Sequence, residues 1–438
     1  MPELQQCRCN TIRRRKMRER LKVNIQSEIG RLEGVILHPP GPEVENMTPD
    51  TAQRALYSDI LNLSIAQKEY EQLYGVLKRY TQVFEIRELL TRVLEKPHAR
   101  ERLLGKICIS EGLPHYFDQL VQMETQELAK RLITGIAARK KSLTEFMSDD
   151  YYALAPLYNF YFTRDASVSL GNNVVICRMA NKVREREALI MEAIFKDSGC
   201  FESGIINLNE IHSSQSNICM EGGDLLVARE DIILIGNGVR TSTKAIDELT
   251  ASLCKRGEPG KKHIIVQELP HSPESFIHLD MVFTLLDRDK CMIFEPVIMN
   301  NRYRTVLITI ENGKVERICS VKNLPDILAR LGMELETIIC GGTEDVWNQE
   351  REQWHSGANF FALAPGKVLS YARNVHTLEE LSKHGFQQLS AKEVASGSKN
   401  IEDYARCVVT IEGSELPRGG GGARCMTMPV RRSTVEWK

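Results

Sequence analysis

No stretch of this 438-residue chain reaches the roughly 18 uninterrupted apolar residues that a membrane-spanning helix needs, so no span is expected. Charge of one sign is also missing. The 57 basic and 58 acidic residues leave a formal net charge of -1, and no global field draws nucleic acid or an anionic membrane to such a surface. A small polar ligand fits better. The 12 cysteines form no CxxC pair and keep no regular spacing, several lying in apolar runs such as Val175-Ile176-Cys177 and Ile338-Ile339-Cys340. They read as buried free thiols of a reducing cytoplasm. His212, Cys219 and His271 match no zinc spacing, and no metal is expected. No apolar h-region follows the basic run Arg13-Arg14-Arg15-Lys16, which excludes a secretory signal. Residues 1–22 are read as a solvated, disordered leader, with Met17 as a candidate start.

What is present is an alternation of two periodicities. Short β-branched runs, among them Gly34 to Leu37, Asn173 to Ile176, Asp231 to Leu234, His263 to Val266, Val306 to Thr309 and Phe360 to Leu363, predict strands. Helical spacing over Leu61 to Leu77, Arg186 to Phe195 and Thr243 to Cys254 predicts helices between them. Between residues 87 and 149 leucines recur at helical spacing among charges, as at Leu89, Leu90, Leu94, Leu103 and Leu104. That block predicts an all-helical insertion in an α/β domain made of residues 23–86 and 150–438. Periodicity alone leaves the sheet open, barrel-like or propeller-like.

Several motifs could carry chemistry. Gly419 to Gly422 stand directly before Ala423-Arg424-Cys425. Four glycines are entropically costly in a regular element and imply a loop that bends sharply or lets a ligand approach its backbone. No Lys-Ser or Lys-Thr follows, which excludes a phosphate-cradling P-loop. Cys425 at the loop end is a candidate nucleophile, with Arg424 beside it to favour the thiolate; alone, it would read as an ordinary core cysteine. The stretch Phe276 to Phe283 alternates so that His278 and Asp280 fall on one face of a strand, a pair of ionisable groups that could serve the thiol. Asp165 closes the aromatic run from Asn159, and Glu221 precedes a glycine pair in Glu221-Gly222-Gly223-Asp224. Taken singly these acids are ordinary turn residues. His38, before Pro39 and Pro40, reads as a turn or surface residue.

Together, Asn159 to Asp165, Glu221 to Asp224, His278-Leu279-Asp280 and Arg418 to Met428 occur in an order that resembles arginine deiminases of the guanidine-modifying superfamily. The resemblance runs from about Val23 to Arg431 and takes in Gly341-Gly342, Arg351 to Trp354 and Pro365 to Val368. It implies a five-bladed, pseudo-symmetric α/β propeller with a small inserted all-helical domain. It implies hydrolysis of L-arginine to L-citrulline and ammonia through a covalent Cys425 amidino-thioether, without cofactor or metal, in arginine catabolism in the cytoplasm, by a homo-oligomer. By the same resemblance Cys425 is the nucleophile, His278 the general acid and base, Glu221 the carboxylate that orients it, and Asp165 and Asp280 the pair that grips the guanidinium. Asn159, Phe162, Arg184 and Arg240 fall at the substrate's amino-acid end, the two arginines suited to its α-carboxylate. Asp224, Arg418, Gly419 and Arg424 are assigned to the substrate's surroundings with them. One departure stands out: Gly420 occupies the place of a second loop arginine. It opens an alternative in which the same chemistry acts on agmatine, a modified arginine or citrulline.

Overall fold

A computed structural model describes residues 20–48, 57, 59–148, 151–210, 218–257 and 260–437. One three-stranded pattern occurs five times in it. In each instance a hairpin of antiparallel strands is followed by a crossover and a third strand lying parallel to the second. Ser167–Leu170, Asn173–Ile176 and Gly204–Asn207 form one such unit. Leu225–Arg229, Ile232–Asn237 and Lys261–Glu268 form the next. Phe283–Asp287, Lys290–Ile293 and Glu336–Ile339 follow, then Phe361–Ala364, Lys367–Tyr371 and Cys407–Ile411. The last unit joins the chain's two ends: Met428–Arg432 pairs antiparallel with Leu32–Leu37, which lies parallel to Gln82–Glu85.

Helices supply the crossovers because parallel neighbours cannot be joined by a tight turn. Leu63–Tyr80, Glu185–Asp197 and Thr243–Arg256 each bridge one unit's second and third strands. Their ends follow local chemistry. The Asn62 side chain accepts a hydrogen bond from the Ile65 amide, and Ser242 accepts one from Ala245, each satisfying an otherwise orphaned N–H. The strands and helices predicted from the sequence runs occur, extended or shifted by a few residues, except the strand expected over Phe276 to Phe283. The sheet of the second-named unit is also lengthened by Thr305–Glu311 and Lys314–Val321.

The helical block holds Ile86–Leu94, Pro97–Ser110, Phe117–Gln122 and Thr125–Thr134. Ile86, Leu89, Leu90, Val93 and Leu94 are buried at the i, i+3, i+4, i+7 and i+8 spacing of one helix face. They share one core with Ile190, Met191 and Ile194 of the crossover helix Glu185–Asp197. Beyond Thr134 the block is not helical, apart from Leu143–Phe146. Ile136–Ala137 pairs instead with Tyr152–Leu154, as Gly135 ends the preceding helix.

Two further expectations are corrected. Leu21–Lys22, placed in the leader, pairs parallel with Phe201–Glu202, while residues 1–19 lie outside the described residues. His38 is buried, its Nε2 3.3 Å from Glu43 and its ring 5.4 Å from that of Phe160. Among the described residues no helix is long and apolar enough to cross a membrane, and the ten described cysteines are free.

Candidate active site

The loop after the last crossover brings Cys425 to within three residues of the strand Met428–Arg432. Gly421 lets it pass against an aromatic floor: a Cβ there would lie 2.6 Å from Phe162. Cys425 is anchored at both ends of its peptide unit. Its carbonyl accepts from the Arg164 amide at 3.1 Å, and its own amide, with that of Arg424, donates to Asn359 Oδ1 at 3.4 and 2.9 Å. Asn359 Nδ2 donates to the Cys425 Sγ at 3.3 Å, and the Asp280 Oδ2 lies 3.7 Å from the same sulfur. Burial pushes the thiol well above its ordinary pKa, and the carboxylates of Asp280 and Asp165 push it further.

His278 and Asp280 arrive by a different route from the one the alternation predicts. They lie on a turn, not a strand: His278 caps the short helix Leu279–Met281, and the strand begins only at Phe283. Asp224 enforces this turn by accepting the Leu279 amide at 2.9 Å. Burial holds the Asp224 carboxyl up at about 7. Gly223 leaves room for the ring, since a Cβ there would lie 2.4 Å from His278 Nδ1. The imidazole sits between two acids, Nε2 3.1 Å from Glu221 Oε2 and Nδ1 3.8 Å from Asp165 Oδ1. Burial alone would lower its pKa, but Asp165, Glu221 and Asp224 raise it to about 9, so His278 is an imidazolium at neutral pH. Glu221 is in turn held ionised against its burial by Arg240, His278 and Arg184.

Arg184 does not present a free guanidinium to a substrate carboxylate. A cation this deeply buried needs anions, and its nitrogens reach Asp165 Oδ2 at 2.8 Å, Glu187 at 2.8 to 3.2 Å and Glu221 at 3.6 Å. The Asp165, Glu221 and His278 donors lie within 4.8 Å of one another, a spacing that could hold a metal ion. Arg184 supplies the positive charge at two of them.

Arg424 lowers the pKa of the neighbouring thiol, as expected, but against larger opposing effects of burial, Asp280 and Asp165. It is buried, with Nε and Nη2 on Glu28 at 2.9 and 3.0 Å and Nη1 on Asp280 at 2.7 Å. Its charge is spent on two carboxylates, and it positions Asp280 rather than facing substrate. Arg418 ion-pairs with Asp59 at the surface, and its Nε lies 3.3 Å from the Ser414 carbonyl and 3.5 Å from Glu415. Arg240 fits its assignment better: it lines a cavity of about 360 Å³ while its Nη1 stays 3.3 Å from Glu221. Asn159 and Phe162 are buried in the turn before Asp165, and Gly419 is buried in the short helix Leu416–Gly419.

Sequence reading missed Glu28, Asn359 and Glu187. Glu28 is one acid in the stretch from Ile25 to Ile29, and Asn359 merely precedes an apolar run. Glu28 meets Arg424 396 residues away and Asn359 meets Cys425 66 residues away, so no local signal marks them, while Glu187 sits three residues from Arg184 in an ordinary helix.

Asp165 Oδ1, Asp280 Oδ1, Asp224 Oδ2 and His278 Nδ1 in this cluster are buried without a hydrogen-bond partner among the described residues. Unpaired buried polar atoms are costly. Two open carboxylate oxygens near a thiol form a receptor for a flat cation.

A family model for arginine deiminase matches residues 53–432. An arginine deiminase of Bacillus cereus (strain ATCC 10987 / NRS 248) is 34% identical over 433 residues, covering 94% of this chain and 99% of that protein. One from Oenococcus oeni (strain ATCC BAA-331 / PSU-1) is 33% identical over 436 residues, with 95% and 99% covered. Among solved structures the fold is similar to SxtG, an amidinotransferase from Microseira wollei, at TM-score 0.54 and 13% identity, covering 95% of this chain and all of that one. It is also similar to the N-terminal domain of ArgZ, a cyanobacterial arginine dihydrolase, at TM-score 0.51 and 16% identity, with 91% and 97% covered. A match over most of the length, together with relatives above 30% identity, decides the matter: the chain belongs to the arginine deiminase family.

Proposed function

We propose that this protein hydrolyses L-arginine to L-citrulline and ammonia, with Cys425 as nucleophile. The observation that carries the reading is the buried thiol, 3.7 Å from Asp280 and 3.3 Å from the Asn359 amide, in a cluster with an imidazolium and two carboxylates that each keep an unpaired oxygen. Asp165 and Asp280 grip the guanidinium at its edges and leave the carbon face open to sulfur. The cation's charge offsets the two acids that hold the thiol protonated, and as substrate seats the thiol gives its proton to solvent and becomes the thiolate. Sulfur then bonds to the guanidinium carbon while His278 passes its proton to the departing amino group, releasing ammonia and leaving an amidino-thioether. Neutral His278 next takes a proton from water, whose oxygen adds to the same carbon. The carbon–sulfur bond breaks, the thiolate returns, and the ureido group of citrulline is complete. Glu221 holds the ring and stabilises its charged form throughout.

The five repeated units, joined through the pairing of Leu32–Leu37 with Met428–Arg432, support a five-bladed propeller around this cluster. In that reading residues 87–149 form the inserted helical domain and residues 23–86 with 150–438 the catalytic one. A cytoplasmic homo-oligomer is the corresponding working form. The test is product analysis by mass spectrometry with L-arginine. Citrulline and one equivalent of ammonia are expected, Cys425→Ala is expected to yield neither, and undiminished turnover by that variant would overturn the assignment.

A further inference from the structure

We infer that Gln353 is a positioning residue of this site: its side-chain amide holds both ends of the loop that carries His278 and Asp280, and so sets where the imidazole stands relative to the Cys425 sulfur. The inference rests on the proposed function and concerns how its acid–base group is kept in place.

Gln353 belongs to the run Arg351 to Trp354, which the chemistry described so far leaves unused. It lies buried on the helix Val346–Trp354. Its Nε2 donates to the Ser275 carbonyl at 2.8 Å and to the Met281 carbonyl at 3.2 Å, so the two protons of one amide bracket residues 276–280. That loop is made of two single turns, Glu274–Phe276 and Leu279–Met281, and its placement depends on bonds from outside it. Those bonds divide between its two working side chains. Asp280 has anchors of its own: Asn359 Nδ2 donates to its carbonyl at 3.1 Å and Arg424 Nη1 to its carboxylate at 2.7 Å. His278 meets Glu221 at the ring, and the amide after it donates to Asp224. Before His278 the loop is tied at Ser275, by Gln353.

The helix that carries Gln353 is itself fixed. Gly341 lets it pack closely, since a Cβ there would lie 2.4 Å from Gln349 Cα, and the Gly342 carbonyl accepts from Gln349 Nε2 at 2.9 Å. Glu352 ties it to the start of the helix Val375–Lys383, accepting from the His376 and Thr377 amides at 2.8 and 2.7 Å. From Gln353 the main chain also leads to the nucleophile. The Gln353 carbonyl accepts from the Ser356 amide at 2.9 Å and the Ser356 carbonyl from the Asn359 amide at 3.0 Å. Asn359 Nδ2 then donates to the Cys425 sulfur at 3.3 Å. Residues 346–359 therefore hold the imidazole's loop through Gln353 and the thiol through Asn359. Such a link fixes the distance over which a proton passes, and a misplacement of about 1 Å costs roughly 10²-fold in rate.

Gln353→Met keeps the side chain's length and removes both donors. Steady-state kinetics on the full chain with L-arginine, followed across pH, compare it with the parent protein. The kcat per folded chain is expected to fall about 10- to 100-fold, while KM stays within about threefold because Asp280 keeps Asn359 and Arg424. The alkaline fall of kcat/KM, set by His278 at about 9, is expected to move down by at least about half a pH unit, since a ring that drifts from Glu221 and Asp165 loses the charges that raise it. A residue that only stabilises the fold would lower the melting temperature and leave both readouts in place. Should Gln353→Met not fold, Gln353→Asn, whose amide is one methylene short of reaching both carbonyls, is read by the same criteria, with a fall in kcat of at least about threefold expected. A kcat within about twofold of the parent protein, with the alkaline limb unmoved, overturns the inference and leaves the proposed function standing. No ammonia from the parent protein would sink that function and this inference with it.

Discussion

Replacing Glu28 by Gln removes a charge while keeping the side chain's shape. Arg424 donates to both Glu28 oxygens and, through Nη1, to Asp280, so the substitution leaves a buried guanidinium with one anion in place of two. The Glu28 carboxyl, against the cost of its burial, is held at about 2 in place of the ordinary 4.5 by Arg424, Arg164 and Arg432. At roughly 1.4 kcal/mol for each tenfold in proton affinity, that difference is about 3 kcal/mol of stability at neutral pH. Breaking a buried pair by removing one partner independently suggests roughly 3 to 5 kcal/mol. The sign follows from the depressed value: the contribution is complete above pH 4.5 and lost as pH falls toward 2. Urea unfolding of both proteins should therefore show Glu28→Gln destabilised by about 3 kcal/mol at pH 7, with the gap narrowing below pH 4.5. Activity should fall as well, because Arg424 fixes the acid beside the thiol. A gap under about 1 kcal/mol at pH 7, or one that does not close in acid, would refute the idea that Glu28 holds this network together.

Asn359→Leu should lower kcat about 10- to 100-fold, since a hydrogen bond to a charged sulfur contributes about 1.5 to 3 kcal/mol; rates within about twofold of the parent protein would remove Asn359 from thiolate stabilisation. His278, raised to about 9, is charged below that pH and neutral above it, so kcat/KM should fall as pH rises through about 9; a fall centred on the ordinary 6.5 would contradict the acid role. Because burial and two acids hold the Cys425 thiol protonated, iodoacetamide should modify it slowly in the free enzyme, with the rate still climbing above pH 9; peptide mapping that finds rapid modification at pH 6 would argue against ionisation assisted by substrate.

How much of this could be read in the sequence depends on the range of the interaction that fixes each feature. Strands such as Asn173–Ile176 and the helix Ile86–Leu94 were legible because their burial patterns repeat within a few residues. The four motifs that make the site were legible as residue types in a familiar order. Their geometry was not. The alternation from Phe276 to Phe283 fits a strand and equally fits the turn that forms, and what decides is a hydrogen bond from Leu279 to Asp224, 55 residues away. The influence of Arg424 on its neighbour was legible because adjacency in sequence is visible, whereas its ion-pair partner Glu28 lies 396 residues away. Arg184 was assigned to the substrate's α-carboxylate, and in its buried position it pairs with Asp165 and Glu187.

These departures have one electrostatic cause. The site concentrates Asp165, Asp224, Asp280, Glu28, Glu187 and Glu221 where water is excluded, and each negative charge must be answered nearby. Arg184, Arg240 and Arg424 answer most of them from within the protein, and burial leaves Glu187 and Asp224 at about 7, readily protonated. What remains is an excess of negative potential at the thiol, enough to keep sulfur protonated while no substrate is bound. A guanidinium cation removes that excess, and a neutral isostere of the same shape does not. Citrulline, whose ureido group is uncharged, is therefore expected to fill the same space without generating the nucleophile, and ammonia released from citrulline would refute this account. A product that again carried a positive charge would not be protected from the same sulfur in this way.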